Sequence, residues 1–203
     1  MRIRLIYLLF FCSGLAGLIY EIVWGRLLVL IFGSTTQSMV AVVSAYMLGL
    51  GGGSLVAGRI ADRLAGKQLV KLYALLEAGV GISGMLTLVW LPWVKFAYAR
   101  MSDGSDITAG LLVVKFLLAE IILMVPMLFM GATLPVLARW ASEQKIILAN
   151  GVSRLYAVNT LGAVMGVLLS AFVMMEILGL TNTILAAGVI NLSIAWRASL
   201  CCR

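Results

Sequence analysis

The stretch Gly58-Arg59-Ile60-Ala61-Asp62-Arg63-Leu64-Ala65-Gly66-Lys67 decides the fold. It packs one acid and three bases into a short segment. An almost uncharged apolar run lies on each side, over 38–57 and 69–94. Each run has the ~20 residues that a helix needs to cross the hydrocarbon core of a bilayer. A charged turn between two such runs predicts a loop at a membrane surface, and the rest of the chain follows from that placement.

The composition agrees. Of 203 residues, 63% are hydrophobic and 11% charged, where a soluble domain carries about 25% charged residues. Too few charges remain to cover a water-facing surface, so the lipid bilayer is the predicted solvent. The longest polar stretches, 99–106 and 139–154, are too short to bury a core of their own. The net charge of +7 is spread singly between apolar runs. That pattern fits loop anchors rather than nucleic-acid binding. Histidine is absent, and Cys12, Cys201 and Cys202 show no C-x-x-C spacing. No metal or cofactor site is therefore predicted. Arg2 and Arg4 precede an apolar run that continues to Phe32, too long for a signal-peptide core. The run reads as an uncleaved first helix.

Six segments reach spanning length: 5–32, 38–57, 69–94, 107–137, 155–178 and 181–196. The expected fold is an all-α polytopic six-helix bundle over 1–196, with a short cytoplasmic tail at 197–203. Arg2, Arg4, Arg59, Arg63, Lys67, Lys71, Arg139, Lys145, Arg154, Arg197 and Arg203 fall on one side of this alternation. Only Lys95 and Arg100 fall on the other, diluted by Asp103 and Asp106. The positive-inside rule then places both termini on the cytoplasmic side of a cytoplasmic (inner) membrane.

Charges inside the spans are the main functional clue, because each is costly against lipid. Glu21, Arg26, Glu77, Lys115 and Glu120 are the candidates for solute or proton binding, together with Asn159. Glu21 shares a helical stripe with Gly14, Gly17 and Gly25, which predicts burial at a close helix contact. Arg26 lies roughly 140° around the helix from Glu21. Arg26 or Lys115 is thus expected to pair with acids of other helices, if the charges serve only to fix helix register. Tyr156, Asn159 and Thr160 enter the fifth span and Asn191 the sixth, where a hydrogen bond between helices is expected for Asn191. Gly49-Leu50-Gly51-Gly52-Gly53-Ser54 has the look of a nucleotide-binding turn. It lies inside an apolar run with no strand before it, so close helix packing is expected instead. In the charged loop, Arg59, Asp62 and Arg63 are candidate parts of a cytoplasmic gate. Asp62 would cap a helix N-terminus and the arginines would grip carboxylates or helix C-termini.

The 58–67 loop is similar to the one that follows the second helix of major-facilitator transporters. Phe11-Cys12-Ser13-Gly14-Leu15-Ala16-Gly17-Leu18-Ile19-Tyr20-Glu21-Ile22-Val23-Trp24-Gly25-Arg26 resembles the opening helix of bacterial fused major-facilitator/spermidine synthase proteins. Gly131-Ala132-Thr133-Leu134-Pro135-Val136-Leu137-Ala138-Arg139 and Leu155-Tyr156-Ala157-Val158-Asn159-Thr160-Leu161-Gly162-Ala163-Val164-Met165-Gly166 resemble the same family. The resemblance implies half of a transporter-like bundle. In the family this often precedes a synthase-fold domain that binds decarboxylated S-adenosylmethionine and a polyamine. The glycine signature and catalytic acid of that domain have no counterpart here, and a truncated gene product would account for it. Two functions are expected to compete. One is a module that binds or moves a small cationic solute such as a polyamine, with a homodimer completing the transporter. The other is a structural anchor for a synthase-like partner. Catalysis by this chain is left undecided.

Overall fold

A computed structural model describes residues 3–101, 109–144 and 148–201, and all of its regular structure is helical. The elements are α1 (Ile3–Phe32), α2 (Thr35–Ala61), α3 (Lys67–Met101), α4 (Ala109–Glu143), α5 (Leu148–Leu169) and α6 (Met175–Leu200). A π-helical turn, Ser170–Met174, joins the last two. The predicted start of the fourth span at 107, and Arg2, Asp103, Asp106, Lys145, Cys202 and Arg203, lie outside the described residues.

Local chemistry sets the breaks. Gly33 ends α1 in the left-handed region at φ +73°, and Ser34 opens α2 by accepting from the Gln37 backbone N–H at 3.4 Å. Gly66, at φ +51°, turns the chain into α3. Gly179, at φ +74° and ψ 174°, interrupts an otherwise continuous helical path. Pro92, Pro126 and Pro135 sit within helices without ending them. Within a membrane this is tolerated because neighbouring helices and local hydroxyls re-satisfy freed carbonyls. The helices outrun the predicted spans at several ends. In particular, α6 reaches Leu200, so most of the expected tail is helical.

Side-by-side packing joins α1 with α5, α2 with α4 and α3 with α6, and glycine sets how closely each pair approaches. A Cβ on Gly162 or Gly166 would strike the carbonyl oxygen of Phe11 or Leu15. One on Gly53 would strike the Leu128 carbonyl, and one on Gly131 the backbone at Leu50. One on Gly81 would stand 3.1 Å from the Gly188 carbonyl oxygen. The expected stripe on α1 is corrected in part. Gly14 does face Asn159, but Gly17 has only Met130 Sδ, at 3.8 Å, and Gly25 has nothing within 4 Å. The glycine run 49–53 is helical throughout, as expected of a packing surface.

The core has two layers. One holds Ile6, Phe10, Ala61, Leu69, Trp140, Leu155, Ile194 and Ala198. The other holds Tyr20, Trp24, Val42, Leu91, Leu123, Ile184 and Ala187. The chain therefore climbs from Leu155 in the first layer to Met174 and Met175 against the second. It turns at Gly179 and returns through Ile184 to Ala198. Among the described residues, five helical stretches are long and apolar enough to cross a membrane: Arg4–Phe32, Thr35–Ala61, Lys67–Phe96, Val113–Glu143 and Gly151–Leu200. The last contains the Gly179 turn.

Candidate functional site

A cavity of about 600 Å³ lies between α1, α2, α4 and α5. Its polar wall is built from Ser13, Tyr46, Ser54, Thr133, Tyr156, Asn159 and Thr160. Small residues make the space, since Gly14, Gly17, Gly51 and Gly131 line it too. Asn159 is fixed there by donating from Nδ2 to the Phe10 carbonyl at 3.0 Å, across the α1–α5 seam. Thr133 and Thr160 donate back along their own helices, to Met130 at 2.7 Å and Tyr156 at 2.9 Å. Tyr156 is 61% exposed. Glu21 stands one turn beyond Gly17 on α1, partly buried and within electrostatic reach of Tyr46.

The remaining candidates are dispersed. Glu77 is fully buried, and its Oε2 accepts from Asn191 Nδ2 at 2.7 Å. That bond links α3 with α6, as expected for Asn191. Glu120 is 6% exposed and accepts from the Ser44 hydroxyl, which joins α4 with α2. Lys115 is 5% exposed with Nζ 5.2 Å from the centre of the Phe32 ring. Arg26 is exposed. The expectation that Arg26 or Lys115 supplies the partners of the acids is thus corrected for Glu77 and Glu120: their hydrogen bonds come from an amide and a hydroxyl. Neutral donors satisfy a carboxylate without the cost of desolvating a second ion.

The charged loop is arranged differently from the reading of Asp62 as an N-cap. Arg59 lies in the last turn of α2, and Asp62 is the residue that closes that helix, its backbone N–H reaching Gly58. Arg63 follows in the turn, donating its N–H to the Ile60 carbonyl at 3.1 Å. The acid at the start of α3 is Glu143, from the end of α4. Its Oε2 accepts from the Gly66 N–H at 2.7 Å, while Oε1 lies 3.8 Å from Arg139 Nη2. A carboxylate at a helix N-terminus satisfies an orphan donor and the dipole together. Glu143→Ala should therefore destabilise the protein by about 1–3 kcal/mol. It should also speed trypsin cleavage at Arg63 or Lys67, read by gel; an unaltered cleavage rate would show that the loop is held by other contacts. Sequence reading missed Glu143 because its partner is a backbone N–H far away in the chain. Ser44 and Tyr73 were missed for the parallel reason that nothing local marks their acidic neighbours.

No family model matches the chain, and no solved structure matches it. A polyamine aminopropyltransferase of Oceanobacillus iheyensis is 25% identical over 196 residues. The match takes in 95% of this chain but 35% of that protein, so the chain spans about a third of the length of the curated relative it resembles.

Proposed function

We propose that the chain is a membrane module of six spanning helices, similar to half of a major-facilitator transporter, that binds a small organic cation such as a polyamine. The observation that carries this reading is the cavity between α1, α2, α4 and α5, whose mainly apolar wall carries the hydroxyls and amide of Ser13, Tyr46, Ser54, Thr133, Tyr156, Asn159 and Thr160. Hydroxyls and amides at such depth are costly against lipid and characteristic of solute pathways. Glu21 beside the cavity supplies the charge that an ammonium group seeks. The polyamine class comes from the name of the Oceanobacillus relative. Six crossings are supported by the reversal at Gly179, with exposed Glu176 three residues before it. A charge there belongs at a membrane surface. Exposed Trp93 and Phe96 with Arg100 towards one end, and exposed Trp196 with Arg197 at the other, form the aromatic and basic belts of an inner-membrane protein. Loop 62–66 and the Glu143 latch would face the cytoplasm, where the latch holds the loop as part of a gate. A second copy of the chain is the proposed cover for the exposed side of the cavity, on which Tyr156 lies.

The test is saturable binding of labelled spermidine to the full chain in nanodiscs. Glu21→Gln keeps size and hydrogen bonding while removing the charge. Affinity should fall at least about tenfold, equivalent to about 1.4 kcal/mol. No saturable binding by the unaltered chain would sink the proposal, and unchanged affinity in Glu21→Gln would remove Glu21 from it.

The share of the relative that the chain covers favours a second reading, an anchor for a synthase-like domain on the same side as the termini. Co-purification of a separately expressed synthase domain with the chain, without spermidine binding, would select the anchor.

A further inference from the structure

Glu77 lies apart from the solute cavity, and its surroundings hold more polar atoms than they satisfy. Glu77 and Tyr73 are fully buried and Asn191 is 1% exposed. Glu77 Oε1, the Tyr73 hydroxyl and Asn191 Oδ1 have no well-formed hydrogen bond. The Tyr73 hydroxyl and the Ser13 side chain both face the Glu77 carboxylate, and Ser13 also faces Tyr73. Ser13 in turn lines the 600 Å³ cavity. Buried unpartnered oxygens are rare in native proteins and each calls for a reason. Here Tyr73 and Ser13 face the carboxylate without closing well-formed hydrogen bonds to it, and Asn191 Oδ1 has no donor, so the cluster holds spare acceptor capacity at one place.

The chemistry of the donors narrows the species that could use that capacity. Every candidate ligand is a hard oxygen, from a carboxylate, an amide, a phenol and an alcohol, which excludes metals that select nitrogen or sulfur. One negative charge balances one positive charge, and a divalent ion would leave an uncompensated charge in the core. The titratable neighbours that face Glu77 are Cys12 and Tyr20 of α1 and Tyr73 of its own helix, none of them a base. From α6 it meets Asn191. Lys115 lies over Phe32 at the far end of α1, and Arg26 is exposed.

We propose that Glu77, Tyr73, Asn191 and Ser13 form a binding site for one monovalent cation, a sodium ion or a proton, between α1, α3 and α6. Ser13 is the group through which that cation exchanges with the solute cavity. The site is independent of polyamine binding, so its test contains no polyamine.

The unfolding temperature of the full chain in nanodiscs is measured against sodium chloride at fixed pH, with choline chloride holding ionic strength. It is then measured against pH at fixed sodium. A rise with sodium and not with choline identifies sodium. A rise as pH falls through the neutral range, without a sodium effect, identifies the proton. In either case Glu77→Gln, which is neutral and nearly the same shape, should lose the response. Tyr73→Phe removes one oxygen while keeping the ring, and should weaken the apparent affinity or shift the pH midpoint by an amount equivalent to about tenfold. It also serves if Glu77→Gln does not fold. No response to either cation in the unaltered chain overturns the proposal, as does a response that survives in Glu77→Gln. A response unchanged in Tyr73→Phe overturns the site as drawn. Failure of the separate spermidine-binding experiment with this cation response intact would sink the solute reading and leave this one standing.

Discussion

Gly53→Ala is expected to lower the unfolding temperature sharply, while Gly51→Ala, two residues away in the same run, leaves it unchanged or raises it. The first Cβ would meet the Leu128 carbonyl oxygen and stand 3.1 Å from the Ala132 nitrogen. Both are backbone atoms of α4, which move only if the helix moves. Overpacking of this kind costs about 1–3 kcal/mol, a large share of the ~5–15 kcal/mol that holds a protein folded. Gly51 has no such neighbour within 4 Å. Alanine there recovers up to about 1 kcal/mol of helix propensity. Unfolding monitored by fluorescence and size exclusion compares the two. Equal sensitivity at both positions would mean that the run serves something besides the α2–α4 contact.

The second large effect is all-or-none. A reporter fused after Arg203 should report the same side of the membrane as one fused before Met1. The stretch Gly151–Leu200 contains 50 residues. A straight helix of that length would run roughly 75 Å at 1.5 Å per residue, far beyond the ~30 Å hydrocarbon core. In the proposed six-span arrangement Gly179 would let it cross twice, with Ile184 and Ala187 packing in one core layer and Ile194 and Ala198 in the other. Opposite-side reporting would mean a single crossing and would discard the six-span reading. A cysteine placed at Asn182, labelled by a membrane-impermeant reagent, checks the turn itself and should react from the side opposite the termini.

Much of this arrangement was legible because bilayer physics is written in runs of residues. Span length, the break after Phe32 and the spacing of bases all depend on neighbours in sequence. The helicity of 49–53 followed from the lack of any strand before it. The pairing of helices did not follow, because the same small residues stand on several faces and only tertiary contact selects among them. Gly14 proved to be a seam residue and Gly25 did not. Glu77 and Glu120 were identifiable as buried, but Glu21, expected at a buried contact, is only half-buried, and the partners of the buried pair were not legible. Asn191 is separated from Glu77 by the whole of α4 and α5 and parts of α3 and α6, and Ser44 from Glu120 by more than a helix. The Glu143–Gly66 contact was hidden most deeply, since a backbone N–H carries no sequence signature.

The seams have a mechanical consequence. Where two helices meet backbone to backbone, neither can slide or tilt without its neighbour, because no side chain stands between them to change rotamer. α1 with α5, and α2 with α4, are therefore each a single stiff plank, whereas Met85 stands between α3 and α6 at Gly188, and α3 also packs along α4, where Gly79 meets the Phe129 ring. Ser13 and Asn159 belong to the first plank, and Tyr46, Ser54 and Thr133 to the second. The cavity is thus the gap between two planks rather than a hole within one. On the proposed solute reading, its mouth would widen by rocking one against the other, with α3 carried along by its packing on α4 and by the Glu143–Gly66 contact at the loop end.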